Sequence, residues 1–300
     1  MKRLTTLLAA AALALALAGC GEDDPEPVAD DPGSGESSKG STDEPAGPTD
    51  PEESSEPPAD LTTAPVYFVA DTPQGPRLFR EFRRVEADNP LEEAAALMTA
   101  GDVADPDYRT LYPSGTFKSV RYVEDSGSFV VELQDDGWKT RAKGMSPAAA
   151  KLAVQQLVHT IQGVQQERAP VVVQLGGEPT TLFGVDTSSG VDAAPQLEVL
   201  GLVNITTPEQ GQPVSGTFTA DGVASSFEAT VPWEIRQGDQ VVKKGFSTAT
   251  GWMDKLHPWT TEVDVSELEP GEYTFVAMTD DPSGGEGFGP TEDTKTIIVE

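Results

Sequence analysis

Residues 146–175 indicate the fold class of this chain most directly, and they read SPAAAKLAVQQLVHTIQGVQQERAPVVVQL. Ser146 is a good helix cap and Pro147 suits the first helical position, so a helix is predicted from there to about Gln162. Apolar residues recur at helical spacing on its expected buried face: Ala150, Val154, Leu157, Val158 and Ile161. The opposite side is expected to be solvated and carries Gln155, Gln156 and Gln162. The apolar run at 171–175 that follows predicts a buried strand.

The residues before this helix show the same mixture of strand and helix signals. Apolar runs and alternation predict strands at 66–69, 77–86, 117–123 and 128–133. Another helix is predicted to begin at Pro90, with Asn89 as its cap, Glu92 in the capping box and Gly101 after its last turn. Strands interleaved with two helices predict an α+β domain over residues 61–186, with both helices packed on one face of a sheet.

The residues after 186 carry a different pattern. A small, polar, turn-prone segment at 187–196 predicts a linker, and no helix is expected beyond it. Residues 197–300 are predicted to form an all-β sandwich, with strands at about 197–206, 214–219, 227–236, 240–247, 259–265, 271–279 and 294–299. In the clearest strand the dry face is expected to hold Phe227, Ala229, Val231, Trp233 and Ile235. Pro232 lacks a backbone donor, which predicts a position at a sheet edge or beside a bulge.

The N-terminus has the pattern of a lipoprotein signal peptide, predicted at residues 1–19. Lys2 and Arg3 form a short positive region, residues 4–17 are uncharged and mostly apolar, and Leu17-Ala18-Gly19-Cys20 fits a lipobox. Cys20, the single cysteine of the chain, is therefore the predicted site of lipid attachment and fatty acylation. This places the protein on the extracytoplasmic face of the cell membrane. The alternative is an ordinary secreted protein with a chance cysteine.

The next segment, residues 20–60, is predicted to be a disordered acidic linker. Residues 21–60 hold 14 acidic side chains against one lysine, a net charge of −13, and they contain no aromatic residue. Such a composition cannot bury a core. Residues 61–300 still carry 36 acidic side chains against 17 basic ones. This excess of negative charge argues against nucleic acid as a partner.

Several short segments carry a family resemblance. In the first domain they are VYFV at 66–69, NPLEEA at 89–94, YRTLYPSGT at 108–116, VVEL at 130–133, QLVHTI at 156–161 and LFG at 182–184. On these residues the first domain resembles the GerMN domain of spore-germination and sporulation proteins. Through ITTP at 205–208, Gly211, VSG at 214–216, FEA at 227–229 and PGEY at 270–273, the second resembles the immunoglobulin-like domain found beside it in bacterial spore-germination proteins.

The resemblance implies a place in the cell envelope and in protein assemblies at the membrane, and the GerMN fold looks similar to ring-building modules of secretion-like complexes. It supplies no catalytic motif. The chain departs from the pattern by carrying one GerMN copy and one immunoglobulin-like domain.

Few residues fit catalytic or metal-binding patterns. The two histidines are His159, interpreted as a boundary residue on its helix, and His257 in a loop. Ser114 lies in Pro-Ser-Gly-Thr, which is not a nucleophile elbow, and is interpreted as a turn residue. Asp280, Asp281 and Glu286 share a loop that suits either a calcium ion or, as we prefer, a solvated turn. We therefore expect no catalytic residue, no metal and no cofactor.

Two tryptophans offer a candidate binding surface. Trp252 and Trp259 flank a loop and are predicted to form an exposed patch for a protein partner or a glycan, with core packing as the alternative. The preferred function is a membrane-anchored envelope lipoprotein that binds or scaffolds an envelope protein or the cell wall. The alternative is a peptidoglycan hydrolase that uses an unidentified carboxylate pair.

Overall fold

The strands of the first domain form a long hairpin and a separate sheet, as seen in a computed structural model that describes residues 60–281, 286–287 and 289–300. The predicted signal peptide and Cys20 lie outside the described residues, as does the acidic linker up to residue 59. The hairpin pairs β1 (Leu61–Thr72) with β2 (Gly75–Glu86) over their full length. The sheet has the order β3-β4-β5-β6, formed by Phe117–Val123, Ser128–Leu133, Val171–Leu175 and Glu178–Pro179.

Two helices complete this domain, α1 (Pro90–Ala100) and α2 (Pro147–Gln165). Both pack against β1, and α1 also contacts β2 and β3. The prediction of an α+β domain therefore holds, but the prediction of both helices on one face of a single sheet is wrong, because β1 and β2 pair with each other and leave the other strands to a second sheet. A short β7 (Thr181–Leu182) and β8 (Val185–Asp186) close the domain.

Helix α1 begins at Pro90 and ends before Gly101, which adopts the left-handed conformation that suits a glycine at this position. The predicted capping box is wrong. The side chain of Asn89 does not cap the helix and instead donates to Glu92 Oε2 at 3.0 Å. Glu92 Oε1 accepts from the backbone N–H of Val120 in β3 at 3.2 Å, so its carboxylate ties the helix to the sheet.

Helix α2 is capped as predicted, since Ser146 Oγ accepts from the backbone N–H of Ala149 at 3.1 Å. Its predicted solvated face is wrong for Gln156 and Gln162, which are buried. Gln156 donates to the carbonyl of Tyr67 at 3.0 Å, and Gln162 donates to the carbonyl of Ala169 at 2.8 Å. Backbone carbonyl groups therefore satisfy the hydrogen-bonding needs of these two buried side chains, which helical periodicity alone predicts to be in water.

The second domain is a sandwich of two sheets. One has the order β10-β16-β15-β12-β13 and the other β14-β11-β9. The strands are β9 (Val203–Thr207), β10 (Gln212–Val214), β11 (Thr217–Ala224), β12 (Thr230–Gln237), β13 (Gln240–Thr248), β14 (His257–Asp264), β15 (Gly271–Met278) and β16 (Glu292–Val299). Gly216, in the left-handed conformation, lies between β10 and β11, where the chain passes from one sheet to the other.

Three details of this domain differ from prediction. The chain begins it with a helical turn, α3 (Gln196–Val199), where a strand is predicted. Phe227 is exposed instead of inward-facing, because Glu228 and Ala229 have positive φ and break the alternation before β12. Strand β12 is an inner strand, and Pro232 is accommodated because pairing with β15 begins only at Trp233. In the part of the chain that the structure describes, no helix is long and apolar enough to cross a membrane.

Candidate functional site

A group of buried polar side chains lies where the two domains meet. Asp105 and Tyr108 come from the loop after α1, Asn204 from β9, and Asp293 and Lys295 from β16, and each is at most 5% exposed. We call these five residues the junction. Their contacts join positions 185 and 190 residues apart in the sequence.

Lys295 provides the positive charge of the junction. Its ammonium group forms an ion pair with Asp105 and donates to the hydroxyl of Tyr108 at 3.0 Å. The same nitrogen lies 4.4 Å from the centroid of the Tyr108 ring and 3.8 Å from Asp293 Oδ1. A buried ammonium group is tolerated only when such partners replace its water.

Asp293 uses both of its carboxylate oxygens. The hydroxyl of Tyr108 donates to Oδ1 at 2.7 Å. The side chain of Asn204 and the backbone N–H of Ile205 donate to Oδ2 at 3.1 and 2.6 Å. One carboxylate therefore connects both sheets of the second domain to the first domain.

Burial and charge shift the pKa values of the junction. Burial alone would lower the pKa of Lys295, but the charges of Asp293 and Asp105 outweigh it and raise this pKa. Burial raises the pKa of Asp105, and the ammonium group of Lys295 offsets this only in part. Burial, followed by the charge of Asp293, raises the pKa of Tyr108 well above its usual range. Tyr108 therefore stays a neutral hydrogen-bond donor at physiological pH.

Glu81 of β2 holds the loop that carries Asp105 and Tyr108. Its Oε1 accepts from the backbone N–H groups of Ala104 and Asp105, at 3.1 and 2.8 Å. Its Oε2 lies 3.2 Å from the guanidinium group of Arg83. The first domain thus fixes its side of the junction through its own residues.

Close backbone packing accompanies these polar contacts. The backbone N–H of Gly201 donates to the carbonyl of Leu78 at 2.8 Å, and Val69, Leu78 and Leu200 form a buried apolar cluster beside it. A Cβ atom at Gly201 would lie 2.4 Å from the ring of Phe79. A larger residue cannot occupy position 201 without displacing that ring.

The segment predicted as a linker is packed against the first domain. Val191 exchanges two backbone hydrogen bonds with Val171 of β5, at 2.9 and 3.0 Å. The side chain of Gln155 in α2 bonds to the backbone of Asp192 and Ala194, at 3.1 and 2.7 Å. Both domains lie within one compact unit, Glu56–Glu300. Residues 187–196 therefore attach the second domain to the first at several points.

The junction holds the domains together and offers no free acid or base. Its two carboxylates accept hydrogen bonds from within the junction and are closed to solvent. Sequence reasoning did not identify it, although one signal exists. Asp293 and Lys295 share the alternation phase of Ile297 and Val299, which all face inward in β16. Charged residues in phase with core residues indicate buried, paired charges.

The structure separates the two tryptophans of the predicted patch. Trp252 is 37% exposed and contacts Phe227, whereas Trp259 is 3% exposed and belongs to the core of the sandwich. The prediction of an exposed Trp252–Trp259 patch is therefore wrong for Trp259, where the core-packing alternative holds. The reason is strand phase: Trp259 and Val263 point inward from β14, while their neighbours Pro258 and Thr260 are exposed.

The other singled-out residues do not assemble into one site. The prediction of His159 as a boundary residue is wrong, because it is buried against the ring of Tyr67, with centroids 5.4 Å apart. His257 pairs with exposed Asp254 at 2.6 Å. Ser114 lies in an exposed turn. In the residues that the structure describes, no group of three or more His, Cys, Asp or Glu side chains is placed to hold a metal ion.

Comparisons with protein families match both domains. Residues 65–181 match the family described as sporulation and spore germination. Residues 202–286 match the family described as the immunoglobulin-like domain of bacterial spore germination. A search of curated proteins found no match.

A comparison with solved structures gives partial matches. The tandem GerMN domains of the sporulation protein GerM from Bacillus subtilis are 12% identical, over 70% of this chain and 63% of that chain, with a TM-score of 0.35. The fibronectin(III)-like modules of CbhA from Clostridium thermocellum are 17% identical, over 32% of this chain and 93% of that chain, with a TM-score of 0.23. Similarity at this level does not assign a function.

Proposed function

Because this chain carries a sporulation and spore germination domain followed by an immunoglobulin-like domain of bacterial spore germination, we propose that it is a binding or scaffolding protein of the bacterial envelope. Its partner is an envelope protein or the cell wall. The proposed role is non-catalytic, and the proposed location is the extracytoplasmic face of the cell membrane.

The buried junction is the observation that carries this proposal. Contacts between domains of one chain usually permit relative motion. Here an ion pair, a buried Tyr–Asp hydrogen bond and a closely packed glycine connect the two domains. A scaffold gains from such a connection, because surfaces held at a fixed angle lose little conformational freedom when they bind.

The anchor is proposed from the sequence. The positive residues Lys2 and Arg3, the apolar segment at 4–17 and the small residues before Cys20 support attachment of diacylglycerol to the thiol. Replacing Cys20→Ser should abolish incorporation of labelled fatty acid, since a hydroxyl does not replace the reactive thiol. Labelled lipid on the Cys20→Ser chain would refute the anchor.

The scaffold proposal is tested by crosslinking the full-length protein in living cells and identifying the crosslinked species by mass spectrometry. We expect a small set of envelope proteins, recovered reproducibly, or crosslinks to cell-wall material. A chain without such crosslinks would contradict the proposal.

A second assay tests the non-catalytic role. The purified full-length chain with Cys20→Ser is incubated with peptidoglycan, and the soluble fragments are measured. No release is expected. Release that disappears when a single exposed Asp or Glu is replaced would favour a hydrolase instead.

A further inference from the structure

One end of the immunoglobulin-like domain exposes large apolar side chains on two neighbouring loops. Phe227 and Trp252 meet edge to face with their ring centroids 5.3 Å apart, and they are 40% and 37% exposed. Met253 next to them is 68% exposed. We call these three residues the aromatic tip. Apolar side chains grouped on the surface of a soluble domain are typical of a contact site.

Hydrogen bonds hold the loops of the aromatic tip in position. The backbone N–H of Met253 donates to Ser225 Oγ at 3.1 Å, and the backbone N–H of Asp280 donates to Ser226 Oγ at 2.7 Å. Glu228 and Met253 have φ angles of 51° and 78°, which non-glycine residues rarely adopt. A strained backbone that its surroundings maintain is often found where a surface is arranged before binding.

The loop that carries Trp252 also contacts residues that lie between the two domains. Leu256 packs beside the buried cluster of Leu78 and Leu200. Its backbone N–H donates to Gln196 Oε1 at 3.0 Å. The loop that carries Trp252 is therefore attached, at Leu256, to residues that lie between the two domains.

Acidic side chains lie on these two loops and on the segment that bonds to Ser226. Glu228, Asp254 and Asp280 are exposed, and Lys255 is the basic residue between them. The hydrogen bond from His257 holds the pKa of Asp254 below its usual range, which keeps this carboxylate charged. We call Glu228, Asp254 and Asp280 the acidic rim. Together with the chain charge of −30, the acidic rim attracts a cationic partner and repels anionic lipids and anionic polymers.

We propose that the aromatic tip binds a cationic, amphipathic segment of a partner protein. Apolar side chains of that segment cover Phe227, Trp252 and Met253, and its Lys or Arg side chains face the acidic rim. This proposal rests on the proposed binding function and names the surface that performs it. A neutral glycan and an anionic membrane are the competing occupants.

Tryptophan fluorescence tests the proposal, because Trp252 is exposed whereas Trp138, Trp233 and Trp259 are buried. The full-length chain with Cys20→Ser is titrated with an amphipathic helical peptide of Leu and Lys. We expect saturable binding and a blue shift of the emission as Trp252 is covered. The same peptide with Glu in place of Lys, phosphatidylglycerol vesicles and chitin oligosaccharides form the other arms.

Variants locate the binding surface, with a fluorescent label on the peptide as the readout. Phe227→Ala and Trp252→Ala should each weaken binding by roughly tenfold. Glu228→Gln should weaken it less. Phe246→Ala is the matched control, since Phe246 is a 69% exposed aromatic residue on β13 of the same domain, and binding should not change.

The outcomes separate the candidate occupants. The proposal is overturned if Trp252 responds only to vesicles or only to the oligosaccharide, if the Glu peptide binds as tightly as the Lys peptide, or if no probe changes its emission. It is also overturned if Phe246→Ala weakens binding as much as Trp252→Ala does.

Crosslinking in cells separates this proposal from the general one. If the Phe227→Ala/Trp252→Ala chain keeps every crosslink of the wild-type chain, the aromatic tip is not the contact surface, although the binding function stands. If the wild-type chain itself forms no crosslinks, the proposed binding function fails. If the wild-type chain forms crosslinks and the double variant loses them, the result supports both the binding function and the aromatic tip as its contact surface.

Discussion

The junction and the aromatic tip distribute polarity in opposite ways. The junction places Lys295, Asp105 and Asp293 out of contact with water, whereas the tip exposes Phe227 and Trp252. Every charge in the junction has a partner within the chain. The rings of the tip contact each other and remain partly uncovered. The fold itself therefore satisfies the polar groups of the junction, whereas the aromatic tip is available to a second molecule.

The junction and the aromatic tip should also contribute differently to the free energy of folding. A buried charge that loses its partner leaves the other charge uncompensated, at a cost of roughly 3–5 kcal/mol. A half-exposed ring contributes far less to folding, because much of its surface stays in water in both states. Mutations at the junction should therefore change stability, and mutations at the tip should change binding.

The largest expected effect is that of Lys295→Met. Removal of the ammonium group leaves Asp105 and Asp293 buried without their cation, so we expect the free energy of unfolding to fall by about 3–5 kcal/mol. Urea unfolding followed by circular dichroism measures this change. Lys118→Met, at an exposed position of β3, is the control and should change stability by less than about 0.5 kcal/mol. Equal effects at both positions would remove the distinction between buried and exposed charge.

Acid should weaken the packing of helix α2 in the first domain, where His159 is buried. Burial, followed by the nearby charge of Arg168, lowers the pKa of His159 from 6.5 to about 4. Between pH 6.5 and about pH 4, His159 is protonated in the unfolded chain but stays neutral in the folded chain. The stability that neutral His159 contributes is therefore present above pH 6.5 and is lost as the pH falls towards 4, by about 3 kcal/mol.

Unfolding midpoints measured at pH 7 and pH 4 test this expectation. The His159→Leu chain should lose less stability between the two pH values than the wild-type chain. An identical pH dependence in the His159→Leu chain would show that other groups cause the acid sensitivity.

Gly201→Ala should disturb the junction by steric means. Its new Cβ atom would meet the ring of Phe79 at 2.4 Å, so we expect a loss of about 1–3 kcal/mol. A double-mutant cycle with Phe79→Leu tests the cause, because a smaller side chain should relieve part of the clash. Strictly additive effects would show that Phe79 is not the source of the strain.

The smallest effect on stability is expected for Trp252→Ala at the aromatic tip. Because Trp252 is partly exposed, the free energy of unfolding should change by no more than about 1 kcal/mol. Trp259→Ala in the sandwich core is the matched comparison and should cost about 3–5 kcal/mol. Similar losses at both positions would mean that Trp252 supports the fold instead of a contact surface.

Local patterns predicted much of the secondary structure. Strands β3, β4 and β5 have the predicted bounds, and both long helices begin at the predicted prolines, Pro90 and Pro147. These signals depend on residues a few positions apart, which is why they can be read without the fold. The same reasoning was wrong for Gln156 and His159, because the burial of a helix face depends on what packs against it.

The candidate sites were less predictable. Trp252 was correctly singled out as exposed, but its neighbour in space is Phe227, which lies 25 positions earlier and faces outward only because two residues after it adopt positive φ. Alternation placed Phe227 in the core. A departure from regular backbone geometry, decided by contacts with other loops, created the aromatic tip.

The amino-acid order alone marks the two domains, their strands and helices, and the inward phase of Asp293 and Lys295 in the last strand. The sequence does not indicate which residues pair with Asp293 and Lys295. Asp105 and Tyr108 lie 190 and 187 residues away from Lys295, and only the packing of one domain on the other brings them within hydrogen-bond distance. Periodicity is a property of neighbouring residues, whereas the pairing of buried charges depends on the relative position of whole domains, and the tertiary structure alone decides it.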